Sequence, residues 1–422
     1  MGGVGWRLFL DEKKTYFEVF GVYQLKKVLF VDTWSKGRFF TDPVALKMNE
    51  ANYQSVYLHA DKFYSIDDGD YTPGVYDVIY DMYEFDMSVH KALQHIKPDI
   101  VIFISIHGMF HRWVNYVCER TSIPTLFFMH GVRFETKKVG GLSNKSIKDL
   151  VSRGSFYTIH WLYFLRDNIK LGLTFKMPWK KFLASYAEMI LRNKRFSFAP
   201  EVKWGLKYNE VCVNTNSDQG FFRNFLGDDA PRELTISGHV SSRRAAMNSL
   251  SIEAKSKQQI LFISQPLVSA GYTTLDSYVS AIKLLKNFFE QHNYGELVVR
   301  FHPRDDEVFK QELAKLNIKC SIYSDFADDL ARTKLVIGFN SSALLGCVDI
   351  GIPVVGLRFE DVPLLDCLKE SEFYCELDLQ SSESNNNLSE FIDATSKKVI
   401  DRNQLEYSEN IIVKKVQEII GE

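Results

Sequence analysis

Short, continuous apolar runs alternate with helix-length segments along most of this 422-residue chain. Strand-like runs occur at Lys27–Asp32, Asp99–Ile104 and Thr125–Met129, and again at Gln259–Ile263 and Leu297–Arg300. Unbroken apolar runs are typical of strands buried on both faces of a sheet. Helical segments between such strands predict right-handed βαβ units and a mostly parallel sheet. The pattern therefore predicts an α/β protein.

The chain is longer than one ordinary hydrophobic core accommodates, so two domains are expected. Since the strand–helix scheme repeats in the second half, both are predicted to be α/β domains with mostly parallel sheets, the first over residues 1–240 and the second over 258–400. The polar segment Ser241–Lys257 has no clear apolar period and is taken as the boundary. A terminal helix within 401–422 is a candidate to pack back on the first domain. Ser381–Asn387, rich in Ser and Asn, predicts a disordered loop.

Charge and cysteine content narrow the class of protein. The formal net charge is −2, so nothing in the overall composition indicates nucleic-acid binding. The six cysteines lie far apart without a Cys-x-x-Cys pair, which predicts reduced thiols rather than disulfides or a zinc site. The N-terminus does not resemble a signal peptide, and no run of about 18 apolar residues predicts a membrane-spanning helix. A cytoplasmic protein is expected.

Two short polar segments follow apolar runs of the second half. Arg300–Pro303 follows Leu297–Val299, and Asn340–Ser342 follows Leu335–Ile337. Each segment is therefore predicted at the carboxyl end of a buried parallel strand, where open α/β sheets bind their ligands. The two segments together suit a phosphate-bearing ligand.

His302 is the first candidate residue for that ligand, because an imidazole at a strand end can donate to a phosphate oxygen. The alternative is a histidine satisfied within the core. Ser341 and Ser342 are predicted at a helix N-terminus, where backbone amides and the helix dipole favour an anion. Plain N-capping by serine explains the same residues. Asn340 precedes them and is included in the predicted site.

Three further residues belong to this predicted phosphate site. Pro303 fixes the exit of the chain after His302. Arg300 either faces the ligand or is an inward structural arginine. Gln265 follows the first strand of the second half and either contacts the nucleotide or is an ordinary loop residue.

The first half offers three candidates for a general base. His130 precedes Gly131 after a predicted strand, and an imidazole is the side chain that most often serves as a general base near neutral pH. His107, at the end of the preceding strand, is an alternative base. If it is not the base, it is predicted to bind the substrate whose hydroxyl is deprotonated, the acceptor. Asp68, within Asp-Asp-Gly, offers a carboxylate, although a polar turn explains that segment. Arg133 is predicted to bind an anionic acceptor.

Several nucleotide-binding and catalytic motifs are absent from the sequence. It contains no Gly-x-x-x-x-Gly-Lys-Ser/Thr loop, no Gly-x-Gly-x-x-Gly turn and no Gly-x-Ser-x-Gly elbow. Kinase, nicotinamide-dependent and hydrolase functions therefore lose most of their support. Asp68-Gly69-Asp70 spells Asp-x-Asp, but its setting is a polar turn, and no metal site is predicted.

Residues 161–200 interleave basic and aromatic side chains within a helical pattern. Such a segment suits the headgroup region of an anionic membrane. A helical insertion with a solvated basic face explains it equally well. Nucleic acid is a third interpretation, and no recognised binding motif accompanies it.

The strand-end motifs resemble those of GT-B glycosyltransferases, in which two Rossmann-like domains with parallel sheets face a central cleft. Val299–Pro303 followed by Phe339–Ser342 is similar to the His-Pro and Ser-Ser motifs of bacterial sialyltransferases and polysialyltransferases. The resemblance implies that this histidine and these serines bind the phosphate and cytidine of a CMP-sugar. In those families an acidic Asp/Glu-Asp/Glu-Gly motif carries the base. Asp67–Gly69 matches it in letters but lies early in the chain.

The CDP-glycerol glycerophosphotransferases of teichoic acid synthesis are also similar. They pair a basic His-Gly in the first domain with a later Arg-x-His-Pro and a serine pair, and Met129–Gly131 would fill the first role. Here Phe339 and Asn340 stand where that family has an acidic residue before the serines. The donor is therefore left open, with a CMP- or CDP-linked donor favoured over a UDP-linked one.

These resemblances imply a metal-independent glycosyltransferase of bacterial capsule or lipopolysaccharide O-antigen synthesis. It would transfer a sugar, with sialic acid or a related acidic sugar as candidate, to a glycan or lipid-linked acceptor at the inner face of the membrane. No cofactor other than the nucleotide-sugar substrate, and no nucleic-acid partner, is expected. The alternatives are a CDP-glycerol-type glycerophosphotransferase, a UDP-sugar 2-epimerase, and a non-catalytic sugar-nucleotide-binding subunit.

Overall fold

The structure is a computed structural model in which two parallel sheets carry the fold. It describes residues 25–61, 74–106, 108–131, 158–159, 162–170, 204–252, 259–360, 362–378, 384–396, 398, 400 and 405–421. Over these residues one sheet has seven strands and the other has six. Every strand pairing found in them is parallel. The predicted α/β class with parallel sheets is confirmed.

Both sheets have the strand order of a doubly wound nucleotide-binding fold. The first is ordered β3-β2-β1-β4-β5-β6-β7 and the second β10-β9-β8-β11-β12-β13. Renumbered from its own first strand, each begins 3-2-1-4-5-6, so the order reverses between β1 and β4 and between β8 and β11. The strands are β1 Lys27–Asp32, β2 Gln54–His59, β3 Val78–Asp81, β4 Ile100–Phe103, β5 Thr125–Phe128, β6 Glu210–Val213, β7 Thr235–Ile236, β8 Gln259–Ile263, β9 Glu296–Arg300, β10 Lys319–Cys320, β11 Thr333–Gly338, β12 Val354–Arg358 and β13 Tyr374–Asp378.

Helices connect these strands and cover the sheets. The α-helices are α1 Trp34–Glu50, α2 Val89–Ile96, α3 Met109–Thr121, α4 Asn216–Leu226, α5 Val240–Ser249, α6 Leu275–Gln291, α7 Glu307–Lys315, α8 Phe326–Arg332, α9 Ala343–Asp349, α10 Ser384–Ser396 and α11 Ser408–Ile420. Residues 162–170 are also helical. Short 3-10 turns occupy Met82–Phe85, Gly227–Asp229 and Asp366–Leu368.

Each sheet has apolar clusters on its two faces. In β1, Leu29 and Val31 belong to one cluster while Val28 and Phe30 belong to another, as alternation along a strand requires. The second sheet divides in the same way, with Phe262 in one cluster and Leu261 in the other. Strands covered on both faces carry apolar residues on both, which explains why the runs in the sequence are nearly continuous.

The helix α5 joins the two halves of the structure. It packs against α8 and α9 of the second half and also contacts α1 and α11. The approach to α9 is so close that a Cβ on Gly346 would lie 2.2 Å from the Ser242 carbonyl oxygen. Its buried positions are Val240, Ser242, Ala246 and Ser249. The segment that the sequence suggested to be an aperiodic boundary therefore begins as an ordered helix.

The C-terminal helix α11 lies on the first sheet's layer. Its Ile412 and Val416 join the apolar cluster that contains Val28 and Phe30. Lys26 Nζ donates to the Ile420 carbonyl at 3.2 Å, which ties the end of this helix to the start of β1.

The predicted loop at Ser381–Asn387 and the basic segment 161–200 are only partly described by the structure. The prediction of a disordered loop over Ser381–Asn387 is wrong for Ser384–Asn387, because α10 begins at Ser384, and residues 381–383 lie outside the described part. Of the basic segment 161–200, only residues 162–170 are described. There Phe164 is buried between the rings of Trp113 and Trp204.

Within the described ranges, no helix is both long and apolar enough to cross a membrane. The six cysteines are all present as free thiols.

Candidate functional site

The carboxyl edge of the second sheet brings together the segments that follow β8, β9 and β11. Ser264 and Gln265 follow β8, His302 follows β9, and Phe339–Ser342 follow β11. The strand order reverses between β8 and β11, so this edge is the topological switch point where open α/β sheets bind ligands. The topology therefore places the predicted His302 and serine segments at the same edge.

Asp305 closes the turn that carries His302. The Asp305 carboxylate accepts a hydrogen bond from the His302 backbone amide at 2.7 Å and another from the Ser264 hydroxyl. The Asp305 amide donates back to the His302 carbonyl at 2.9 Å. Ser264 Oγ also accepts from the His302 amide at 2.9 Å. These bonds fix the backbone of His302 to the end of β8, so the side chain starts from a defined position.

The hydrogen bonding of His302 also selects its tautomer. The Arg304 amide donates to His302 Nδ1 at 3.1 Å, so the proton of the neutral ring is on Nε2. Partial burial, together with the charge of Arg304, holds the pKa of His302 below its ordinary value against the opposing effect of Asp305. At neutral pH the ring is therefore an uncharged Nε2–H donor. Pro303, beside it, is exposed.

The serine pair leads into α9. Ser341 is buried, and its hydroxyl accepts from the Ala343 amide at 3.3 Å, which is a local capping bond. Ser342 is half-buried, has helical backbone angles and makes no side-chain capping bond. Asn340 is half-buried beside them. Capping therefore accounts for Ser341 but not for the hydroxyl of Ser342.

Arg300 is engaged within its own half of the chain. Its guanidinium forms a salt bridge with the fully buried Asp329 and donates to the carbonyls of Tyr323 at 3.1 Å and Ser324 at 3.0 Å. These contacts attach the end of β9 to the loop before α8. A contact of Arg300 with a donor remains a prediction.

Gln265 lies next to the His302 turn. Its backbone amide donates to the Tyr278 hydroxyl at 3.1 Å. Gln265, Arg304 and Asp305 line the same small cavity. The structure therefore brings Gln265 together with the His302 segment.

His130 occupies the carboxyl edge of the first sheet, two residues after β5. Its Nδ1 contacts the Ile104 carbonyl, which can only accept, so Nδ1 carries the proton of the neutral ring. Nε2 then keeps its lone pair, as a general base requires. The side chain is exposed, and its ring centroid is 4.9 Å from that of Phe40. The structure thus gives His130 a basic nitrogen and access to solvent.

Asp32 and His111 lie at the same edge and were not identified in the sequence. Asp32 ends β1 at the switch point of the first sheet, and its Oδ2 is 3.5 Å from His111 Nε2. Burial opposes ionisation of Asp32, but His111, the charge of His130 and the Thr33 amide together lower its pKa below the ordinary value. A buried and ionised carboxylate therefore lies at the same sheet edge as the candidate base. Asp32 could have been identified from the sequence because it directly follows an apolar run. His111 could not, because it lies within α3 and no sequence pattern marks it.

Three predicted acceptor-side residues, Asp68, His107 and Arg133, lie outside the described residues. Their roles stay predictions. Asn214 Nδ2 donates to the Gly131 carbonyl at 2.7 Å and secures the turn after His130. In the described ranges, no group of three or more His, Cys, Asp or Glu side chains is placed to hold a metal ion.

Comparison with known proteins shows the fold. No family model matches the chain, and no curated protein matches its sequence. Among solved structures, the calicheamicin glycosyltransferase CalG4 superimposes with a TM-score of 0.54 at 11% identity, covering 94% of this chain and 99% of that one. The UDP-GlcNAc 2-epimerase of Neisseria meningitidis, bound to UDP-GlcNAc, gives 0.52 at 11% identity, covering 93% and 100%. The wall teichoic acid polymerase TagF gives 0.46 at 11% identity, covering 98% and 96%. The first two superpositions show that the chain has the GT-B fold.

Proposed function

We propose that this protein is a GT-B glycosyltransferase that uses a nucleotide-sugar donor. The observation that supports this most directly is the His302 turn at the switch point of the second sheet. Its tautomer leaves an Nε2–H donor at the same sheet edge as the serine segment, and such a donor can bond an oxygen of a leaving nucleotide phosphate. His302, Ser341 and Ser342 would hold that phosphate, with Gln265 and Asn340 beside them.

His130 is the base in this proposal. Its Nε2 takes the proton of an acceptor hydroxyl, and the hydroxyl oxygen forms the new bond to the anomeric carbon. The bond from that carbon to the donor phosphate oxygen breaks, and the nucleotide leaves with the electron pair. The support is the contact of Nδ1 with the Ile104 carbonyl, which keeps the lone pair on Nε2. Asp68 remains the alternative base.

The finer assignment is a proposal as well. Similarity to sialyltransferase motifs favours sialic acid or a related acidic sugar on a CMP or CDP carrier. The acceptor would be a surface polysaccharide of the capsule or O-antigen type, growing or lipid-linked, at the inner face of the membrane. Among the described residues of the basic segment, Leu162 and Ile169 are exposed apolar side chains beside Arg166 and Lys170, which is compatible with peripheral membrane contact.

A second candidate is a CDP-glycerol-type glycerophosphotransferase, favoured by the His130-Gly131 pair with its free Nε2. The two functions differ in the bond that breaks, since a glycerophosphate transfer leaves CMP where a sugar transfer from a CDP donor leaves CDP. Release of CMP from CDP-glycerol in the presence of an acceptor therefore identifies a glycerophosphotransferase, whereas a glycosyltransferase releases no nucleotide from this compound, because glycerol has no anomeric carbon.

The test is release of nucleotide from CMP-, CDP- and UDP-linked donors, with and without a panel of glycan acceptors. Wild-type protein is expected to release nucleotide in the presence of an acceptor, and His130→Ala to lose this activity while it still binds nucleotide. His292→Ala, at the exposed end of α6, is the matched control and should be unaffected. Interconversion of a UDP-sugar without any acceptor would instead identify a 2-epimerase, and nucleotide binding without turnover a non-catalytic subunit.

A further inference from the structure

A cavity of about 270 Å³ lies at the edge of the second sheet opposite to the one that carries His302. Thr333 begins β11 and Pro353 immediately precedes β12, and both residues line the cavity, so it lies at the amino ends of these strands. His302 follows the carboxyl end of β9 in the same parallel sheet. The cavity is therefore separate from the proposed nucleotide site.

The walls of this cavity are largely apolar. Ile260 of β8, Leu335 of β11 and Ile352 before β12 are buried residues that line it. Tyr294, in the segment between α6 and β9, and Ile392 of α10 are half-buried and complete the apolar wall. Small-molecule sites are commonly cavities of about 300–1,000 Å³ with apolar walls and a few placed polar groups, so this cavity suits a small ligand.

Lys334 lines this cavity at an irregularity of β11. Thr333 pairs with Gln259 and Leu335 pairs with Ile260, so β11 advances by two residues where β8 advances by one. Lys334 is therefore the extra residue of a β-bulge. A bulge interrupts the alternation of side chains along a strand and changes the direction of the bulged residue, and bulges are frequent beside binding sites. The backbone of β11 thus departs from regular pairing at the residue that brings a charge to the cavity.

The ammonium group of Lys334 has no acidic partner among the described residues, although the residue is half-buried. A second lysine at the cavity, Lys398, differs in this respect, because its Nζ lies 2.6 Å from a carboxylate oxygen of Glu372. A cation that is partly removed from water is stabilised by an anion beside it. Lys334 therefore supplies the cavity with one positive charge that an anionic group of a ligand can match.

We propose that this cavity binds a small carboxylate with an apolar body. The carboxylate accepts a hydrogen bond from Lys334 Nζ, and the body packs against Ile260, Leu335 and Tyr294. The charge of Lys334 selects an anion, and the apolar walls favour an aliphatic or aromatic acid over a compact polar anion such as inorganic phosphate. The inference does not depend on the proposed transferase function, because it concerns the opposite edge of the sheet.

Four probes separate the contribution of charge from that of the apolar walls. Benzoate and hexanoate carry both features, benzyl alcohol keeps the ring without the charge, and inorganic phosphate keeps the charge without an apolar body. Their dissociation constants are measured by ligand-observed NMR titration, with thermal unfolding followed in parallel. Lys334→Met removes the charge and keeps an unbranched side chain, and Lys334→Arg keeps the charge. The matched control is Lys283→Met, because Lys283 is exposed on α6 and does not line the cavity.

Wild-type protein is expected to bind benzoate or hexanoate more tightly than benzyl alcohol or phosphate. Lys334→Met should bind the carboxylate roughly tenfold more weakly at an unchanged unfolding midpoint, whereas Lys334→Arg and Lys283→Met should keep most of the binding. An excess of CMP, CDP or UDP should leave the carboxylate affinity unchanged, because the two sites lie at opposite edges of the sheet.

Three results would overturn the inference. The first is a wild-type protein that binds neither carboxylate, or that binds benzyl alcohol as tightly as benzoate. The second is an unchanged carboxylate affinity in Lys334→Met. The third is displacement of the carboxylate by a nucleotide, which would assign its binding to the edge that carries His302. Carboxylate binding at this cavity in a protein that binds no nucleotide would contradict the proposed function alone.

Discussion

Replacement of Arg300 by alanine tests whether this residue supports the fold or the donor. In the structure Arg300 is the charge partner of Asp329, which is fully buried, and the only other side chain bonded to that carboxylate within the described part is Ser321, at 2.7 and 2.8 Å. Arg300→Ala would therefore leave a buried carboxylate without a counter-charge.

Breaking one side of a buried ion pair costs about 3–5 kcal/mol. The Arg300 side chain is 22% exposed, so water can enter in its place, and the lower end of this range, about 3 kcal/mol, is expected. The two hydrogen bonds to the carbonyls of Tyr323 and Ser324 are lost as well. Urea denaturation followed by circular dichroism measures the free energy of unfolding directly.

The matched control is Asp329→Asn, which removes the charge of the partner without touching the edge of the sheet. If Arg300 is structural, both variants lower the free energy of unfolding, and each reduces nucleotide binding only in proportion to the unfolded fraction. An Arg300→Ala protein of wild-type stability that no longer binds nucleotide would refute this reasoning and assign Arg300 to the donor.

Two further predictions concern packing and pH. Gly346→Ala is expected to lower the free energy of unfolding by about 1–3 kcal/mol, because the new Cβ would lie 2.2 Å from the Ser242 carbonyl oxygen. The control Gly220→Ala, whose Cβ would meet no other group within 4 Å, should be neutral or stabilising. Equal urea midpoints for the two variants would contradict the close contact of α5 with α9. Burial lowers the pKa of His239 from 6.5 to about 4, so on acidification the imidazole of the unfolded chain is protonated before that of the folded chain. The free energy of unfolding therefore decreases as the pH falls from 6.5 to about 4. At 1.36 kcal/mol per pKa unit, wild type should lose about 3 kcal/mol more than His239→Asn, and an identical pH dependence of unfolding in the two proteins would exclude a buried neutral ring.

The parallel strands were predicted well from the sequence, because a strand that is buried on both faces consists of a nearly continuous run of apolar residues. It also located His302 and the serine pair, since each directly follows such a run. Helix α5 was missed for a physical reason. Its buried face consists of small residues such as Ser242, Ala246 and Ser249, which allow the close approach to α9 and leave no hydrophobic period to detect.

The acceptor edge was only partly predictable. His130 follows a clear apolar run, but His239 follows β7, which is two residues long and has no pattern of its own. The tautomers of His130 and His302 depend on the Ile104 carbonyl and the Arg304 amide, and the first of these is distant in sequence. Such pairings arise from the fold and cannot be read from residue spacing.

Nucleotide binding at the His302 turn is the central claim, and calorimetric titration with CMP, CDP and UDP tests it most directly. Wild-type protein and the His292→Ala control are expected to bind at least one of these nucleotides. His302→Ala is expected to lose that binding while it keeps its unfolding midpoint. Equal nucleotide affinity in His302→Ala and wild type, or no binding of any nucleotide by wild type, would contradict the account.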